Sequence, residues 1–232
     1  FEKLKSDFLT LINHELRTPL NGIKGFIELL EKTLETHKQL EYVTTIKTQI
    51  YKLEKITESA LLITTLKADK YKMNLQKVTV DEILKSVINQ SKSNLKIKTI
   101  NINLKNIDDK KTINVDFKLF INCLYNILQN AISVSKPNGN IDIIVSAKNG
   151  FTIFQIHDYG PGFSESNLKY LFELFSNNDI MHHSEGIGLG MAVCKLITEA
   201  HNGKIKIHNH PKGGATVELA VPDDCQQKNQ EE

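Results

Sequence analysis

The 232 residues suffice for one large domain or two modest ones. A net charge of +2, with 40% hydrophobic and 24% charged residues, describes an ordinary globular chain and gives no electrostatic pull toward nucleic acid or an anionic membrane. No apolar run reaches the ~18–20 residues of a bilayer span. The three cysteines, Cys123, Cys194 and Cys225, lack metal-ligand spacing and read as reduced thiols of a cytoplasmic portion.

From Leu4 to about Leu66 apolar residues recur at alternating spacings of three and four, close to a heptad, and predict two long helices. Thr36 to Gln39 is short and polar and is expected to be the loop of an antiparallel hairpin. One such hairpin cannot bury both stripes, so a homodimer forming a four-helix bundle is expected. Asn74 to Val80 is short and partly alternating, Asp81 to Ser91 reads as an amphipathic helix, and Ile97 to Leu104 alternates as a strand. Asp116 to Ser135 returns to helix. Ile141–Ser146 and Phe151–His157 read as strands joined by an Asn149-Gly150 turn. A helix over Ile187–His201 and strands over Lys204–His208 and Thr216–Val221 complete the pattern, before a polar tail, 225–232, expected to be disordered. The fold class expected is α+β: a helical hairpin over 1–70, then an α/β sandwich with a mixed sheet over 71–224. A start at Phe1 inside a helical pattern is expected of a piece of a longer protein, with room upstream for a sensor or a membrane anchor.

Four segments carry chemistry. In Asn13-His14-Glu15-Leu16-Arg17-Thr18-Pro19-Leu20, His14 falls roughly 150° from the centre of the apolar stripe and is expected to face solvent. Glu15 can orient its imidazole, Thr18 shares its face one turn on, and Pro19 should bend the helix. Asn126 and Asn130, four apart on a helix, present two neutral amide oxygens on one side, a donor type suited to Mg²⁺ on a triphosphate. Asp158-Tyr159-Gly160-Pro161-Gly162-Phe163 ends an apolar strand, where a carboxylate can accept from an adenine amino group and glycines permit close backbone approach. Gly186, Gly188 and Gly190 open a helix whose N–H groups and dipole favour phosphate; the spacing fits neither the dinucleotide fingerprint nor a P-loop.

The His14 segment closely resembles the H-box of sensor histidine kinases. The later segments, in their order and spacing, resemble the N-box, the two glycine boxes and the final glycine-threonine element of the ATP-binding domain that these kinases share with gyrase, Hsp90-type chaperones and MutL. Leu171 to Phe175 resembles its F-box. The resemblance implies that His14 is phosphorylated from ATP and Mg²⁺, that Glu15 activates it, and that the phosphoryl group passes to the receiver domain of a response regulator. It implies that Asn126 lies in the N-box and Asn130 holds Mg²⁺, that Asp158 reads adenine beside Gly160 and Gly162, and that Gly186, Gly188 and Gly190 face phosphates. Thr216 is expected to support Asp158. Glu15 and Thr18 also have the spacing that the family uses for phosphatase action on its regulator. Where the family carries Lys or Arg after the N-box this chain has Ser133, with Lys136 one turn on, and 176–185 hold neither Lys nor Arg but His182 and His183. Slow turnover is therefore expected. The alternatives are a nucleotide-binding dimeric scaffold, a phosphatase with weak kinase activity, or a gyrase- or chaperone-type ATPase.

Overall fold

The computed structural model describes residues 2–32, 36–68, 70–108, 110–164, 168, 171–172, 189–211 and 213–225, with residues 2–15 described by backbone alone. It divides into two compact units, 1–65 and 66–232. In the first, α1 (Glu2–Lys32) and α2 (Thr36–Lys67) form a hairpin. Gly22 faces Gln49 and Phe26 meets Tyr42 at 5.8 Å, so contacts descend α2 as they climb α1 and the helices are antiparallel. Thr36 to Gln39 belong to the first turn of α2 and not to the connecting loop. The cause is that polar residues at a helix start resemble a loop until their backbone bonds are counted. α1 continues through Pro19, which is buried.

The second unit is a five-stranded sheet with helices on one face, beside a small two-stranded sheet. Its elements are β1 (Leu75–Thr79), α3 (Val80–Lys98), β2 (Asn101–Lys105), β3 (Thr112–Asp116), α4 (Phe117–Val134), β4 (Asn140–Lys148), β5 (Phe151–Asp158), α5 (Gly190–Ala200), β6 (Lys204–Asn209) and β7 (Ala215–Pro222). β1 pairs with β3; the larger sheet runs β2-β4-β5-β7-β6, parallel at β2–β4 and antiparallel elsewhere, which makes it mixed. Ile141, Ile143 and Val145, Phe154 and Ile156, and Val217, Leu219 and Val221 line the helix face of the sheet, all buried. Phe120 of α4 meets Phe154 edge-on at 5.4 Å in that core. Period two sends the alternate residues to the other face, where Asn103, Asp142, His157, Thr216 and His208 form one register-matched polar row across all five strands.

Further departures from expectation lie at α3, at β3, at Cys225 and at the start of α5, which is Gly190 with Leu189 as its N-cap. α3 runs to Lys98 and Ile97 is helical, 81% exposed, because the buried stripe continues from Val87 through Ser91 to Leu95. Ser91 is polar and breaks the apolar pattern, but its hydroxyl accepts from Gln129 Nε2 at 3.1 Å. β3 had no sequence reading, since Ile113 and Val115 supply only two apolar residues to a five-residue strand. Cys225, assigned to the tail, is buried: its thiol donates to the His201 carbonyl and its own carbonyl accepts from Asn114 Nδ2 at 2.8 Å. Residues 226–232 lie outside the described residues. Among the described residues no helix is long and apolar enough to cross a membrane.

Candidate functional site

α4 is the element from which the site is built. Asp116 caps it, its Oδ1 accepting from Leu119 N at 3.1 Å, while Oδ2 accepts from Asn74 N at 2.9 Å. Leu119, Phe120, Cys123, Leu124, Ile127, Leu128, Ala131 and Ile132 bury one face of the helix. The remaining face carries Asn122, Asn126 and Asn130, each one turn after the last, with Asn126 half-buried and the other two exposed. Asn126 Nδ2 donates to Asn122 Oδ1 at 2.8 Å, while among the described residues its own amide oxygen accepts no hydrogen bond. Asn122 was missed in the sequence, although a third asparagine at the same spacing was there to be counted. Such a row of neutral oxygen donors fits a hard divalent cation held jointly with phosphate oxygens.

α5 packs against that asparagine row. Its first residue, Gly190, packs on Asn126, with the Asn126 Cβ and Cγ each 3.9 Å from where a Gly190 Cβ would stand. Among the described residues no side chain caps α5 at Leu189, a helix start whose first N–H groups have no partner within the helix. α4 and α5 are joined by reciprocal contacts: Cys194 Sγ donates to the Cys123 carbonyl at 3.4 Å and Cys123 Sγ to the Cys194 carbonyl at 3.8 Å. Both thiols are buried and unpaired, and burial pushes the Cys194 thiol well up. Gly186 and Gly188, together with His182, His183 and 173–175 of the F-box-like segment, lie outside the described residues.

β5 delivers Asp158 on the same face as Phe154 and Ile156, toward α4. It is 6% exposed; Oδ1 accepts from Gly160 N at 2.8 Å and Ala215 N at 3.3 Å, and among the described residues Oδ2 takes no hydrogen bond. Gly160 lies against Val134, at the C-terminal end of α4, so the two segments meet there. Gly214, at φ +80, leaves no room for a Cβ, which would collide with the Asp158 carbonyl oxygen.

Thr216 is the correction here. It pairs in register with His157, and its hydroxyl lies 3.2 Å from His157 Nδ1, on the face opposite Asp158. The residue that supports Asp158 is Ala215, through its backbone N–H, because one step along a strand reverses the face. Ser133 is exposed and donates to the Asn130 carbonyl at 2.8 Å; Lys136, also exposed, lines a hollow with Ser135, Gly139, Asn140 and Tyr159. The cation that does reach the end of α4 is Lys98 from α3. Its Nζ donates to the carbonyls of Ile132 at 3.0 Å, Ser133 at 2.5 Å and Ser135 at 3.2 Å. It thus satisfies the last carbonyls of the helix and opposes the negative end of its dipole.

His14 and Glu15 are placed by backbone in α1, and their side chains lie outside those described. Thr18, one turn after His14, is exposed.

Residues 4–69 match the model of the His Kinase A (phospho-acceptor) domain, and residues 115–224 that of the histidine kinase-, DNA gyrase B- and HSP90-like ATPase. The sensor histidine kinase SpaK of Bacillus subtilis is 31% identical over 95% of this chain, which covers 48% of SpaK. Full-length ShkA, solved in complex with AMPPNP, is 27% identical with a TM-score of 0.69, over 96% of this chain and 46% of that one. Histidine kinase ThkA, solved in complex with the response regulator protein TrrA, shares the fold at 20% identity and a TM-score of 0.73, over 96% of this chain and 63% of that one. The chain spans about half the length, or less, of the curated relatives it matches first.

Proposed function

We infer the reaction from one premise: the chain belongs to the histidine kinases and is the catalytic core of one, with a phosphoacceptor domain and an ATP-binding domain. The reaction proposed is transfer of the γ-phosphoryl group of ATP to His14, followed by its passage to an aspartate on the receiver domain of a response regulator. The observation that supports the nucleotide half is what α4 gathers along its length: its asparagine row, the start of α5 against Asn126, and, about two turns further on at Val134, the loop that carries Asp158, whose Oδ2 takes no hydrogen bond among the described residues.

Each group has a task that its chemistry suits. Asp158 Oδ2 accepts from the adenine amino group, a donor that guanine lacks at that position. The N–H groups at the start of α5 receive phosphate oxygens. Asn126 and Asn130, with Asn122 behind them, are the residues that would hold Mg²⁺, which neutralises charge on the β- and γ-phosphates. His14 attacks phosphorus with a neutral ring nitrogen while Glu15 orients the other nitrogen; the γ-phosphorus–oxygen bond to ADP breaks as the phosphorus–nitrogen bond forms. Lys98 is engaged by three carbonyls and Ser133 by its own helix, so neither supplies free positive charge to the transferring group, which supports a slow rate.

The test is labelled ATP with Mg²⁺ on the parent, His14→Gln and Asn130→Ala side by side. Acid-labile label on the parent alone is expected; label that survives in His14→Gln would sink the assignment. The exposed position of Thr18, one turn after His14, supports an added phosphatase role, in which Glu15 and Thr18 orient water at the phosphoaspartate of the regulator. Thr18→Ala should then slow regulator dephosphorylation about tenfold or more while His14 labelling persists. An unchanged dephosphorylation rate rejects the role.

A further inference from the structure

The loop from Asp158 to Phe163 is held at both ends by one register pair of the β6–β7 hairpin. Asn209 stands opposite Ala215 in that pairing. Ala215 N donates to Asp158 Oδ1 at 3.3 Å, at the start of the loop. At its end, Asn209 Oδ1 accepts from Phe163 N at 2.8 Å and Asn209 Nδ2 donates to the Phe163 carbonyl at 2.7 Å. The side-chain amide thus occupies both polar groups of one residue, as a neighbouring strand would. Gly162, at φ +74, is pressed on the same amide: a Cβ there would stand 2.8 Å from Asn209 Oδ1.

A third attachment fixes the second residue of the loop on the outer face of the sheet. Tyr159 OH donates to Asp142 Oδ2 at 2.8 Å, and its ring meets His157 edge-on at 4.4 Å. Asp142 is itself anchored by Lys105 Nζ at 2.7 Å and Asn103 Nδ2 at 2.9 Å. Burial alone would raise the Asp142 carboxyl, but Lys105, Asn103 and Tyr159 outweigh it and hold it down at about 2, so it is an ionised anchor across neutral pH.

We propose that Asn209 and Tyr159 are positioning residues for nucleotide binding: together they hold the Asp158–Phe163 loop in its base-receiving shape before ATP arrives. The inference rests on the reading of Asp158 as the adenine acceptor. A loop already ordered gives up less conformational entropy when the base enters, so the gain falls on affinity and not on the chemical step. Neither side chain touches the reacting atoms.

The experiment uses the full chain, with AMPPNP and Mg²⁺ measured by calorimetry and His14 labelling from ATP measured over a concentration series. Asn209→Ala, which removes both bonds, should weaken AMPPNP binding about tenfold, and Tyr159→Phe, which removes only the hydroxyl and keeps the ring on His157, about threefold. Asn209→Asp keeps the acceptor for Phe163 N, loses the donor to its carbonyl, and should fall between parent and Asn209→Ala; it carries the same test if Asn209→Ala does not fold. The loss should appear in KM, with kcat within about twofold of the parent. Unchanged affinity in the folded variants, or a fall in kcat at constant KM, overturns the proposal. Asp158→Asn separates the two readings: if it binds AMPPNP as tightly as the parent, the assignment of the base fails, whereas loss there with full affinity in Asn209→Ala and Tyr159→Phe removes the clamp alone.

Discussion

Asp158 and His157 are adjacent in sequence and serve opposite faces of the sheet. The first faces the helix side with α4, and the second pairs with Thr216 on the outer polar row. The same alternation separates Ala215 from Thr216, so a threonine in the right stretch of sequence sits one residue from the position that contacts Asp158. His201 shows a different residue-scale effect. It is fully buried; its Nε2 accepts from Asp116 N at 3.0 Å, so Nδ1 carries the proton and donates to the Ile197 carbonyl at 2.7 Å. Burial, outweighing the helix carbonyl and Asp116, holds its pKa below the ordinary 6.5. Below pH 6.5 the unfolded chain therefore takes up a proton that the folded ring refuses, and stability present at neutral pH is lost as pH falls. Unfolding free energies from urea titration across that range should drop in the parent, by at most about 1.4 kcal/mol per pH unit from this residue, and the dependence should flatten in His201→Gln. An equally steep fall in the variant would assign the acid sensitivity to other groups.

At the scale of elements, helix ends decide more than helix middles. α3 opens with a full capping box, in which Thr79 and Glu82 each accept from the other's backbone N–H, and closes on Thr99 in the left-handed region. α4 is capped by Asp116 at one end and by Lys98 at the other. Asp116→Ala removes the α4 cap, frees Asn74 N and leaves the buried Leu119 N unmet, so a loss of about 2 kcal/mol is expected, against about 1 for Thr79→Ala, where the cap lies nearer solvent. Chemical denaturation of the two variants checks the order, and a larger loss for Thr79→Ala would contradict it. The amphipathic core of α4 was legible from its period, and so was the hairpin turn at Asn149-Gly150. The reach of α3 was not, because a buried serine satisfied by Gln129 looks in sequence like the end of an apolar stripe.

For the whole molecule, the helical hairpin leaves Leu20 50% exposed on α1 and Leu61 66% exposed on α2, with Ile27, Leu29, Leu40 and Ile50 also open. Apolar surface of that kind on one hairpin is what a second copy would cover, and the phosphoacceptor domain suggests the same assembly. Light scattering should therefore return twice the chain mass, and Ile50→Glu with Leu61→Glu should shift it to the monomer while helical content persists. A monomeric parent would reject the dimer. The sequence by itself determined the helical and strand periods and His14 on α1, and it singled out the asparagine, aspartate and glycine segments proposed to hold nucleotide, since these are carried by local period and by residue type at fixed spacing. Only the tertiary structure decided which residues meet: Ala215 and not Thr216 on Asp158, Lys98 at the end of α4, and Asn209 gripping Phe163. Those contacts join segments far apart in the chain, and strand register and the face a side chain takes have no local signature when the residue itself is an ordinary surface polar one.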